Sequence, residues 1–362
     1  MIRLGDPCLG DEELALVERA LRSGFLIQGA MVARFEELVA ARSARKHAIA
    51  VTNGTAALEL SLRALGVGPG DDVLVPNVSW PSPAHAVAWL GARPILVDVD
   101  AQEWNARPDA YLRARTPQTK AAIAIDQFGS PARVAEIAAA LGDLPILEDA
   151  ACAIGSERPT GARSVMETYS FHPRKVVATG EGGMIATDDD ALAQRLRIMR
   201  NHGQTKPGEF ALPGPNVRLS EIAAAIGVAQ MEKLDAMLVR RRELAARYRE
   251  ALPELSFQRE IEGARSNWQT MGALVPARFD ANGRDAFLER VRAQGVEVGK
   301  LSYALHRIGS LTASAEEARS RGETFAASSA IVDRGFALPL HLSLSDEDQT
   351  RVVDAVRAAL VQ

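Results

Sequence analysis

Short apolar runs of strand length recur along the first half of the chain: AIAVT (48–52), DVLVPN (72–77), PILVDVD (94–100), AAIAIDQ (121–127), PILEDA (145–150), METYSF (166–171) and GGMIAT (182–187). Ala, Val, Ile and Leu fill them continuously rather than in alternation, which is the pattern of strands buried on both faces. Between them lie helical patterns, TAALELSLRAL (55–65), SPAHAVAWLG (82–91) and RVAEIAAALG (133–142). Alternation of this kind predicts one seven-stranded, mainly parallel α/β sheet between helices, with ligand-facing side chains at the strands' carboxyl ends. From Ser220 to about Leu252 the periodicity is that of one long amphipathic helix, or two with a bend near Lys233. The texture then changes to a strand-like ALVPARF (273–279), a helix FLERVRAQG (287–295), an irregular stretch through 300–324 and a closing helix DEDQTRVVDAVRAAL. The expected organisation is a large domain over 1–252 and a smaller α+β domain over 253–362.

With 362 residues, 47% hydrophobic and 24% charged, the composition is that of an ordinary globular protein. A net charge of −4 with interspersed signs leaves no basic footprint for nucleic acid, and the densest basic run, RRRE at 240–243, falls on a helix face. No window reaches the apolar length of a membrane span, and MIRLGDPCLG has no leader-like apolar stretch, so a cytoplasmic location is expected. Two cysteines, Cys8 and Cys152, make no disulfide framework, and six scattered histidines make no metal site.

The most informative stretch is YSFHPRKVVATGEGGMIAT, Tyr169 to Thr187. It brings Ser170 to a strand end, presents Lys175 after a tight HPR turn, and reverses through GEGG into the next apolar run. A lysine in a partly desolvated pocket can form a Schiff base with an aldehyde such as pyridoxal phosphate; a solvated loop lysine is the plain alternative. Three further pieces ask for the same ligand. In TNGTAALEL (52–60) a turn at Asn53 and Gly54 precedes a helix starting at Thr55, so a phosphate could rest on Gly54, Thr55 and Ala56, although capping by Thr55 would use the same residues. In ILEDAACAIGS (146–156) Asp149 ends an apolar strand, where it could hold a protonated pyridine nitrogen or cap a following helix. In VPNVSWPSP, Trp80 could stack on an aromatic ring or belong to a core or interface. No strand is followed by G-x-G-x-x-G, which removes the dinucleotide-binding reading of the alternating pattern.

With the lysine joined to these pieces, the chain resembles the DegT/DnrJ/EryC1/StrS family of aminotransferases, fold-type I pyridoxal phosphate enzymes often called sugar aminotransferases. The likeness runs from LIQGAMVARFEELVAARSARKHAIAVTNGTAALELSLRALGVGPGDDVLVPNVSW through GARPILVDVD, EDAACAIGS, SFHPRKVVATGEGGMIAT, RNHGQ and NVRLSEIAAAIGVAQMEKLD to ALPLHLSLSDED. The resemblance implies Lys175 as the cofactor-bearing lysine and proton shuttle and Asp149 as partner of the pyridine nitrogen. It further implies Thr55, Ala56 and Ser170 on the phosphate, Trp80 on the ring, Cys152 near the ring hydroxyl, and a homodimer in which Asn216 reaches the neighbouring subunit's phosphate. Read locally, Asn216 is a turn residue before a helix.

The resemblance also implies an amino group moved by ping-pong from L-glutamate to a keto sugar, nucleotide-linked and either 4-keto-6-deoxy or 3-keto. Gln269, Tyr303 and His306, together with Asn201 and His202, are the candidates for the substrate pocket, and His172 is either a turn residue or an aid to proton transfer. A keto-cyclitol acceptor, a dehydratase or aromatizing elimination on the same cofactor, and a non-catalytic regulatory protein are the alternatives. Two departures from the family pattern stand out: Cys152 where many members carry Gln or His, and a loop, ERPTGARSVME, without the usual Gly-Asp turn. Members that have lost transamination often replace the lysine by histidine, whereas this chain keeps Lys175.

Overall fold

A computed structural model describes residues 1–361. Seven strands form one sheet, in the order His47–Val51, Gly183–Thr187, Met166–Ser170, Ile146–Asp149, Thr119–Ile125, Asp72–Pro76, Arg93–Val97. Only Gly183–Thr187 runs against the others, pairing antiparallel with both His47–Val51 and Met166–Ser170. The six co-directional strands therefore end on one edge, and the reversed strand begins there. All seven apolar runs of the sequence lie in this sheet, and their buried residues pack under helices on its two faces: Ile49, Val73, Leu96 and Ile123 in one cluster, and Ala50, Tyr169 and Met184 in another, with Phe35 of the helix Ala30–Ser43.

Glu221–Ala251 is a single 31-residue helix, so the alternative of two helices broken near Lys233 falls away. Ser220 Oγ caps it by accepting the Ala223 N–H at 3.2 Å. A second sheet, all antiparallel, orders Ser256–Phe257, Met271–Leu274, Gly335–Leu338 and Gly299–Lys300. Its core gathers Phe287, Phe336 and Val356 with Tyr248 of the long helix and Ile2 from the start of the chain.

Some boundaries differ from the periodic pattern. The strand expected over 273–279 occupies Met271–Leu274, because Val275 and Pro276 lead into a turn closed by Phe279 N–H on the Pro276 carbonyl at 3.0 Å. The helix expected over 287–295 starts earlier, at Ala281, where Asp280 accepts the Gly283 N–H at 2.7 Å. The stretch taken as irregular holds a helix at Thr312–Ser320, and a second helix follows at Ala326–Arg334; both are too short and Ala/Ser-rich to show a clear apolar stripe.

Candidate active site

At the carboxyl edge, the strand His47–Val51 runs into Asn53, which is extended (φ −166°) and accepts the Ala56 N–H at 2.8 Å. Asn53 thus caps the helix Gly54–Ala64, and the alternative of capping by Thr55 falls away. The Ala56 N–H is used by that cap. Those of Gly54 and Thr55 find no acceptor among the described residues, which leaves two free donors at a helix N-terminus.

Two glycines bring the neighbouring strands against this turn. A Cβ on Gly54 would lie 2.8 Å from Ser170 Cβ, and one on Gly183 would collide with the Asn53 carbonyl. Ser170 therefore stands beside the free N–H groups, its hydroxyl without a protein partner among the described residues. Thr55 Oγ1 lies 2.9 Å from Ser82 Oγ. Ser82, the first residue of the helix Ser82–Trp89, was not singled out in the sequence because a helix-opening serine carries no sign of what lies across from it.

Asp149 and Glu148 are consecutive residues of a strand and point to opposite faces. Glu148 is bound by Arg158 at 2.6 Å and by the Ser164 hydroxyl at 2.8 Å, so the loop without a Gly-Asp turn is held to the back of the sheet by these two side chains. Asp149, 6% exposed, accepts the Ala151 N–H at 3.1 Å through one oxygen, and its other oxygen has no protein donor among the described residues. No helix follows it for it to cap; Ala150 to Ser156 form turns. Burial pushes the Asp149 carboxyl up to about 6, a rise moderated by the Ala151 N–H and the charge of Lys175.

Lys175 sits on a loop closed at its base by Phe171 N–H on the Gly182 carbonyl and Thr179 N–H on the Phe171 carbonyl, both at 2.9 Å. A tight turn, Lys175 N–H to the His172 carbonyl at 2.8 Å, presents the side chain, whose Nζ lies 3.1 Å from Cys152 Sγ. Lys175, Cys152 and Asp149 are thus brought together. His172 spends Nδ1 on the Arg174 N–H at 3.3 Å, and burial, then the Arg174 charge, lowers its pKa, so it is a neutral turn residue near pH 7.

Trp80, 56% exposed, meets Tyr303 edge-on at 5.4 Å between ring centroids and carries the Arg174 guanidinium 5.9 Å from its centroid. Tyr303 reaches it because Tyr303–Ala304 pairs with Val78–Ser79. Gln269 donates to the Arg174 carbonyl at 2.9 Å. The His306 ring is occupied elsewhere: it stacks on Phe325 at 4.6 Å, and Asn77 engages its Nδ1 at 2.8 Å. Since Asn77 Oδ1 already accepts the His306 N–H, its Nδ2 must donate, which makes Nδ1 the acceptor and fixes the neutral Nε2–H tautomer.

Asn201 and Asn216 pair through their backbones, His202 N–H bonds the Pro215 carbonyl at 3.0 Å, and Thr52 N–H bonds the Val217 carbonyl at 3.0 Å. The Asn201 side chain is engaged by Gln204 at 3.1 Å and by Arg218. Asn216 is exposed beside this seam.

The chain matches the DegT/DnrJ/EryC1/StrS aminotransferase family over residues 7–357. Among solved structures it is similar to the aminotransferase TlmJ from Streptoalloteichus hindustanus (31% identity, TM-score 0.89) and to S. venezuelae DesV (31%, 0.89), in each case over 100% of this chain and 99% of the other. It is also similar to 3-amino-5-hydroxybenzoic acid synthase (27%, 0.90, 99% of each chain). The chain therefore belongs to the DegT/DnrJ/EryC1/StrS aminotransferase family and is a pyridoxal phosphate-dependent transaminase.

Proposed function

We propose that this enzyme moves an amino group from L-glutamate to a keto sugar, nucleotide-linked and of the 4-keto-6-deoxy or 3-keto type, through Lys175. The observation that carries the site assignment is the grouping of Lys175 with Asp149, a buried carboxylate with one oxygen lacking a protein donor among the described residues. Pyridoxal phosphate fits that grouping: its ring nitrogen supplies the missing cation, and its phosphate matches the free N–H groups of Gly54 and Thr55 and the Ser170 hydroxyl. When bound, it supplies an aldehyde carbon for amine attachment and an electron sink for the electrons of a broken Cα–H bond.

In this reading Lys175 Nζ first holds the cofactor. Freed by the donor amine, Lys175 Nζ would be the base that takes the proton from the donor's α-carbon. Lys175 Nζ would serve as the proton carrier again when the keto acceptor takes the amino group. Asp149 would keep the ring nitrogen protonated, and its low-dielectric setting would strengthen that ion pair. Trp80 would cover the ring and Cys152 would lie beside it; Tyr303 packs on Trp80, and Gln269 holds the Arg174 carbonyl. His172 stays a structural turn residue.

A homodimer completes the site by bringing Asn216 of a second copy to the phosphate; the exposure of Asn216 leaves it free for that contact. Cytoplasmic placement accords with two free cysteines and with no described helix long and apolar enough to cross a membrane. A second reading is favoured by the similarity to 3-amino-5-hydroxybenzoic acid synthase, whose named product is an aromatic amine: an aromatizing elimination on the same cofactor, beside which a keto-cyclitol acceptor stays open. Incubation with L-glutamate and panels of keto sugars and keto-cyclitols, followed by mass spectrometry of the products, decides between them. A mass matching an amino sugar supports the proposal. An aminated cyclitol, or an aromatic product with loss of water, overturns the sugar assignment.

A further inference from the structure

The loop Ser266–Thr270 grips both segments that carry the reacting groups. Asn267, fully buried, gives its amide hydrogens to the Cys152 and Ile154 carbonyls at 2.8 and 2.9 Å, just past Asp149, and takes the Gln269 N–H on Oδ1 at 2.8 Å. Gln269 then donates through Nε2 to the Arg174 carbonyl at 2.9 Å, the carbonyl immediately before Lys175, while its Oε1 accepts from Thr270 Oγ1 at 2.9 Å. The Asn267 N–H is tied to Ser156 Oγ at 3.1 Å and the Thr270 N–H to the Phe128 carbonyl at 3.3 Å.

The loop is anchored from below by a buried cation. Arg241, on the long helix, has no carboxylate partner among the described residues and spends its donors on backbone carbonyls: Trp268 and Gln269 at 2.7 Å each, and Leu340 at 3.2 Å. A guanidinium without a counter-ion is costly to bury, and burial alone lowers its pKa to about 9. These carbonyls are what compensates it, so its position and the loop's are fixed together.

We infer that Asn267 and Gln269 are positioning residues that set the placement of Lys175 relative to Asp149. This rests on the reading of Lys175 as the cofactor lysine. It gives Gln269 a role different from the acceptor contact that the family resemblance implies, since both ends of its amide are already spoken for within the protein.

The test uses the holoenzyme and Gln269→Met, which keeps the length of a half-buried side chain but loses both hydrogen bonds, so folding is preserved; Asn267→Asp is a second variant. Four quantities are read: the single-turnover rate with L-glutamate alone, the pH at which the visible cofactor band changes, hydrogen exchange over 172–177, and KM for the acceptor. The expected result for Gln269→Met is a glutamate half-reaction slowed on the order of ten- to a hundredfold, the size of effect that follows small misplacements, with a shifted band pH, faster exchange over 172–177 and unchanged acceptor KM. An unaltered glutamate half-reaction and band, with or without a raised acceptor KM, overturns the inference. Lys175→Ala separates the two failures. If that variant keeps the wild-type band, the reading of Lys175 falls; if it loses the band while Gln269→Met behaves as wild type, only the positioning role falls.

Discussion

Lys175 Nζ and Cys152 Sγ lie 3.1 Å apart, although 23 residues separate them in the chain. The contact joins the loop after the Asp149 strand to the loop before the reversed strand. Cys152 Sγ is thus the acceptor of the Lys175 ammonium, at a position where the family often carries a better hydrogen-bonding residue. A thiol is a weak partner for a ring hydroxyl, so Cys152→Gln is expected to leave turnover in place while moving the visible band and tightening cofactor retention a few-fold, read by absorbance and equilibrium dialysis. Loss of the cofactor in Cys152→Gln would place the residue elsewhere in the site.

Asp149 makes stability depend on pH in a definite direction. Its folded-state pKa of about 6 lies above the ordinary value of 3.8, so the folded protein binds its proton more tightly than the unfolded chain does. That contribution is full below about pH 4 and is lost as pH rises through 6, a change on the order of 3 kcal/mol for the cofactor-free protein. Asp149→Asn should therefore raise the melting temperature of cofactor-free protein at pH 8 relative to wild type, with a much smaller gain at pH 4. The same substitution should weaken cofactor retention. Equal shifts at both pH values would show that the carboxylate is not strained.

The cradle depends on close backbone approach. Gly54→Ala sets a methyl 2.8 Å from Ser170 Cβ, and Gly183→Ala drives one into the Asn53 carbonyl. Both should destabilise by about 1–3 kcal/mol in denaturant titrations and lose affinity for pyridoxal phosphate. A stable Gly54→Ala protein with wild-type phosphate affinity would remove this turn from the site.

Much of this was legible beforehand, and the reasons differ by element. The central sheet announced itself because strands buried on both faces must be continuously apolar, and Lys175 did because a lone lysine sat between two such runs with a glycine turn behind it. Asn53 was passed over as a turn residue because Thr55, one of the usual capping types, stood next to it. The grip of Asn267 and Gln269 was invisible, since it joins carbonyls some 95 to 115 residues away in the chain, and no local pattern encodes where a loop of one sheet will meet the strand ends of another. His306 was read by its position alone, whereas the ring is taken up by Asn77 and Phe325.

The shared site proposed above is open to a complementation test. Lys175→Ala and Asn216→Ala homodimers should each be nearly inactive. Randomly reassociated mixtures should recover about a quarter of wild-type activity, because half the dimers are mixed and each mixed dimer owns one intact site. No recovery despite demonstrated subunit exchange would mean that Asn216 serves its own subunit.

The most direct measurement is the visible absorption spectrum of the purified protein before and after addition of L-glutamate, with Lys175→Ala alongside. A band in the wild type that bleaches with glutamate, and is neither formed nor bleached in the variant, is the expected result. A Lys175→Ala protein whose band matches the wild type and still bleaches would contradict the account, as would a wild type that takes up no pyridoxal phosphate.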